Sequence, residues 1–117
     1  MVHEEKKAAK IVEELTMFFF TIGADRLSSG LTRKENEVKI TFVSNYLPEF
    51  EHSIDHLEEA LDEPKNEGME DIYWELAGSG DPGESSQLLL VSMMVDRYEM
   101  KRSPGRVELT LYKELLR

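Results

Sequence analysis

Apolar residues recur at two different periods along this chain, and each change of period marks an element. From Glu4 to Ile22 they fall three and four apart, at Ala8, Ile11, Val12, Leu15, Phe18, Phe19 and Ile22. That spacing places them on one broad face of a helix. Glu4 and Glu5 suit its positive end, and Gly23 is a natural C-terminal stop. The period then drops to two. Val38, Ile40 and Phe42 alternate with Lys39 and Thr41, so Glu37 to Ser44 reads as a strand with one buried face. Asp25 to Arg33 reads as its partner across the polar turn Lys34, Glu35, Asn36. Ser28, Ser29 and Gly30 give that first strand little to pack with, which suits a sheet edge.

After Pro48 the helical period returns, with Phe50, Ile54, Leu57 and Leu61 on one stripe and Pro64 ending it. Lys65 to Gly68 reads as a loop and Met69 to Ala77 as a short helix containing Trp74. A second loop, holding Gly78, Gly80, Pro82 and Gly83, leads into Leu88 to Val95, an apolar run that reads as a buried helix. Tyr98 to Arg102 and Arg106 to Tyr112 form a last hairpin around Ser103, Pro104 and Gly105, with Val107, Leu109 and Leu111 on its buried face; Pro then Gly fits the centre of a tight turn. Two separate hairpins alternating with helices predict an α+β fold: about four strands in a mixed or antiparallel sheet, covered on one face by helices.

Composition narrows the function. With 117 residues and 40% hydrophobic content, the chain forms one domain with a core of its own. Lys plus Arg number 14 against 24 Asp plus Glu, a formal charge of −10. Such a surface repels nucleic acid and anionic lipid, so neither is expected as a partner. The cysteine count of zero removes disulfides and thiolate chemistry and fits a reducing compartment. No apolar run approaches a membrane span and the N-terminus lacks a signal-peptide core, so a soluble, cytoplasmic protein is expected. Ten acids fall between Glu49 and Asp71 against Lys65 alone; they read as a solvated face or as a docking surface for a basic partner.

The candidate chemistry is sparse. His52 and His56 lie one helical turn apart beside Asp55 and Glu59, a spacing at which two imidazoles could share a zinc ion; exposed histidines without function explain the same pattern. Glu14, near the edge of the first helix's apolar face, could act as a general base or simply pair with Lys10 at i−4. Phe18, Phe19 and Phe20 read as core packing. Trp74 beside Tyr73 would serve equally as a stacking platform or as a packing anchor.

The order of elements, with a Gly-rich loop opening the last helix before a terminal hairpin, resembles the ATP-binding domain of the GHKL group: gyrase, the histidine kinases and the related anti-sigma kinases. The resemblance spans nearly the whole chain. In that family the first helix carries a Glu and, four residues on, a magnesium-binding Asn. Here EELTMFFF puts Glu14 at the first position and Phe18 at the second, and phenylalanine offers a hard cation no oxygen. The family's adenine-binding Asp and its glycines would follow ITFV, where this chain has Ser44, Asn45, Tyr46, Leu47 and Pro48. The phosphate-binding box aligns with GESSQLLLV through Gly83 and Val91, but its later glycines fall on Ser85 and Gln87.

The resemblance therefore implies a GHKL-like domain with eroded ATP motifs, binding no cofactor and acting through a protein partner. The expected partner surface comprises Glu58, Glu59, Asp62 and Trp74, with the Gly78 to Gly83 loop; self-association as a homodimer stays open, with no seam evident. Two alternatives remain. One is an anti-sigma-type kinase with an atypical pocket, using Glu14 as base and Ser44, Asn45, Gly78, Gly80, Gly83 and Ser85 around the nucleotide. The other is a metal-dependent hydrolase built on His52 and His56.

Overall fold

The computed structural model describes residues 2–64, 69–80 and 85–115, with backbone alone for residues 2, 3 and 85. In chain order the elements are α1 (Val2–Thr21), β1 (Leu27–Arg33), β2 (Glu37–Asn45), a 3-10 turn (Pro48–Phe50), α2 (Glu51–Asp62), α3 (Glu70–Ala77), α4 (Ser85–Ser92), β3 (Arg97–Ser103) and β4 (Arg106–Glu114). The expected loop at Lys65 to Gly68 and residues 81–84, Gly83 among them, lie outside the described residues.

The strands form one sheet in the order β1-β2-β4-β3, and every neighbouring pair is antiparallel. The second hairpin docks through β4, which places Ile40 opposite Leu111 and Phe42 opposite Leu109. Because side chains alternate across a sheet, this register puts Val38, Ile40, Phe42, Val107, Leu109 and Leu111 on one face, all buried. Lys39, Thr41, Glu108 and Thr110 fall on the other face, which no described helix covers. β1 is an edge strand, exposed from Ser28 onward.

The helices lie on the apolar face, completing a two-layer α+β sandwich. α1 covers β2 and reaches β1 and β4, while α2 lies against β3. Helix α4 packs against α1, α2 and α3 at once. A helix enclosed on several sides can be apolar nearly all round, which is why this segment lacks a polar stripe. It begins and ends three residues earlier than its apolar run suggested. Met94 and Val95 sit in tight turns after the helix, their N–H groups donating to Val91 O (2.9 Å) and Ser92 O (3.1 Å), yet both are buried.

α1 stops in a Schellman arrangement. The Ala24 N–H donates to Phe19 O at 3.0 Å and the Gly23 N–H to Phe20 O at 3.1 Å, with Gly23 at φ +91°. A Cβ on Gly23 would lie 2.5 Å from Leu47 Cγ, so the chain can leave the helix here only without a side chain. Gly105, at φ +72°, makes the turn of the second hairpin after Pro104.

Candidate functional site: a groove among three helices

α1, α4 and α2 enclose a groove of about 260 Å³. Phe18 and Leu88 form its apolar floor, both buried, and Leu89 forms a half-exposed wall. Phe18 is held edge-on against Phe19, ring centroids 5.3 Å apart. On the opposite side α2 contributes Ser53, His56, Glu59, Ala60 and Glu63. The Glu59 and Glu63 carboxylates are exposed and form no ion pair among the described residues. Among the described residues the lining contains no lysine or arginine. The groove can therefore take an apolar group flanked by positive charge, whereas a polyphosphate would meet two carboxylates.

His56 lines the groove, with His52 one turn away on the same helix and their rings edge to face at 6.0 Å. Among the described residues no three His, Cys, Asp or Glu side chains are grouped to hold a metal ion.

Several residues singled out in the sequence serve the fold instead of lining this groove. Glu14 is fully buried and pairs with Lys10 at 3.0 Å, the i−4 partner expected for it. The buried Ser44 hydroxyl donates to Asn45 O at 2.9 Å. Asn45 accepts from the Asp25 and Arg26 N–H groups and donates to Asp25 Oδ1, tying the entry of β1 to the end of β2. The Tyr46 phenol donates to Glu51 at 2.7 Å. Gly78 closes α3, its N–H donating to Trp74 O, and Trp74 packs against the core. Gly80 lies so close to Gln87 that a Cβ would fall 1.9 Å from the end of the Gln87 side-chain amide. The Gln87 amide, nitrogen toward Ala77 O and oxygen toward Gly80 N–H, joins the end of α3 to α4 and fills the space before that helix. Ser85 begins α4.

The acidic run is largely consumed within the molecule. Arg102, on β3, bonds Glu51, Asp55 (2.8 Å) and Glu58 (3.1 Å), three carboxylates on successive turns of α2. The hydrogen bond to Glu51 leads the interactions that hold the Arg102 guanidinium above its ordinary pKa. In return, the bonds from Tyr46 and then Arg102 hold the Glu51 carboxyl below its own. One turn further on, Asp62 accepts from the Tyr98 phenol. Burial, and then that bond, push Tyr98 up to about 12. Glu58 and Asp62 thus face β3, while Glu59 faces the groove.

A buried charge cluster escaped the sequence reading. Glu70 Oε2 lies 2.6 Å from Lys7 Nζ and 2.8 Å from Lys113 Nζ, joining the starts of α1 and α3 to the end of β4. Asp71 and Glu4 also bond Lys7, and Glu4 and Asp96 approach Lys113. Burial alone would lower the Lys7 pKa, but hydrogen bonds from its ammonium to Glu70, Asp71 and Glu4 outweigh that and hold it above the lysine range. Lys7 is therefore no base or nucleophile at neutral pH. Spacing could have revealed both lysines, because Lys7 falls four before Ile11 on the apolar face of α1 and Lys113 two after Leu111 on the inward face of β4.

Comparison with known proteins gave no match: no protein-family profile, curated protein or solved structure aligns with the chain. Among the described residues no helix is long and apolar enough to cross a membrane.

Proposed function

We propose that this is a non-catalytic, GHKL-like domain that regulates or scaffolds by binding another protein, with the groove among α1, α2 and α4 as the recognition surface. The observation that carries this reading is the lining of the groove. Phe18 stands where the resemblance calls for a magnesium ligand, and Glu59 and Glu63 oppose the phosphates that such a metal would bridge. An apolar floor with acids at its rim suits instead a Leu- or Phe-type anchor flanked by Lys or Arg. The acidic balance opposes nucleic acid and anionic membranes as partners, and the lack of cysteine fits the reducing cytoplasm, where we place the protein.

The test uses the two groove acids that form no ion pair among the described residues. Wild-type protein and the double variant Glu59→Lys/Glu63→Lys are immobilised and exposed to extract from the source cells. We expect a basic protein retained by the wild type, in a salt-sensitive way, and lost by the variant. Identical captured sets would sink this assignment.

A further inference from the structure

We infer that β1 is a self-complementary edge through which two copies of this chain join into one continuous eight-stranded sheet. The inference is independent of the groove. The Asn45 N–H donates to Arg26 O (3.2 Å) and the Lys34 N–H to Glu37 O (2.8 Å). In an antiparallel ladder hydrogen-bonded pairs alternate with non-bonded ones. The even-numbered residues of β1 therefore bond to β2, and Leu27, Ser29, Leu31 and Arg33 point their N–H and C=O groups outward, where no described element covers them.

The side chains on those outward positions, extended by one step to Asp25, read Asp, Leu, Ser, Leu, Arg. That order matches its own antiparallel copy. With a two-fold axis at Ser29, Asp25 faces the second copy's Arg33, Leu27 faces its Leu31, and Ser29 faces itself. All of these pairs fall at outward positions, so hydrogen bonding and side-chain matching select the same register. Leu31, 52% exposed on the helix side of the sheet, gains an apolar neighbour. Arg33 is 55% exposed while bonded to Glu5, and Asp25 receives Asn45 on Oδ1, leaving Oδ2 to accept from a guanidinium. The strand has no internal proline or charge to deter pairing. The opposite edge is guarded: β3 alternates exposed Arg97, Glu99 and Lys101 along its length.

Sedimentation of the full chain across a concentration series tests this. The wild type should be a dimer that dissociates on dilution, and Leu31→Lys should raise its dissociation constant by about tenfold or more, since each change counts twice across the axis. Leu31 is exposed, so circular dichroism should show that variant folded. Asp25→Arg and Arg33→Asp should each be monomeric alone and form a dimer when mixed in equal amounts, because only the mixed pair restores opposite charges on both sides. A wild type that stays monomeric at every soluble concentration overturns the inference. So does a dimer indifferent to Leu31→Lys, or a mixture that stays monomeric.

Discussion

Glu70 and Lys7 meet 2.6 Å apart inside the protein, 63 residues apart in sequence. A buried ion pair of this kind adds little over a well-packed apolar pair, but neutralising Glu70 takes from both lysines their shared buried partner, leaving Lys7 with Glu4 and Asp71 and Lys113 with Glu4 and Asp96. Glu70→Gln should therefore cost about 1–3 kcal/mol at neutral pH, read from urea unfolding.

The same group gives a pH signature. Burial would raise the Glu70 pKa, but the bonds from Lys113 and Lys7 prevail and hold it below the ordinary carboxylate value. A carboxyl depressed in the folded state contributes stability above its unfolded pKa of about 4.3, and that contribution is lost as pH falls through the folded value. Lys7 acts at the other end: its contribution is whole below about 10.4 and is lost as pH rises through its raised folded value. Stability of the wild type should fall more steeply than that of Glu70→Gln as pH drops below about 4.3; parallel acid limbs would show that Glu70 is not the linked group.

Arg102 should fasten α2 to β3. Its fan of three carboxylates uses the planar guanidinium, a geometry that an ammonium cannot reproduce. Arg102→Lys should lower stability by about 0.5–1 kcal/mol, the modest value of a solvent-facing network, and the difference should shrink in high salt. A salt-independent loss would point to packing of the side-chain stem instead.

At Gly23 the backbone and the neighbouring side chain make the same demand. Gly23→Ala adds a methyl group at φ +91° and drives it into Leu47, so it should destabilise by about 1–3 kcal/mol. Truncating the obstacle in Gly23→Ala/Leu47→Ala should recover part of that loss in thermal unfolding; no recovery would leave the backbone conformation as the whole cause.

The elements were legible wherever burial follows one clear period. The seven-residue apolar series of α1, the alternation in β2 and β4, the Pro-Gly turn and the weak edge strand all appear where the pattern placed them. What the pattern could not carry was pairing at a distance. Ten acids in one run read as a solvated face because their partners, Arg102, Tyr98, Lys7 and Lys113, are scattered far along the chain. Two of the acids proposed for a partner surface, Glu58 and Asp62, are tied to β3, whereas Glu59 reaches the groove. The end of α4 departs from its apolar run for a related reason. Apolarity reports enclosure, and here the enclosure runs on past the helix end.

The central claim, that the groove serves a protein and not a nucleotide, is tested most directly by thermal unfolding with and without millimolar Mg-ATP. A ligand at a hundred times its dissociation constant stabilises by about 2.7 kcal/mol, a shift of several degrees at this size. The account predicts no shift, because Phe18 supplies no metal ligand and the groove acids repel the phosphates. A rise of several degrees, lost on removal of magnesium, would contradict it.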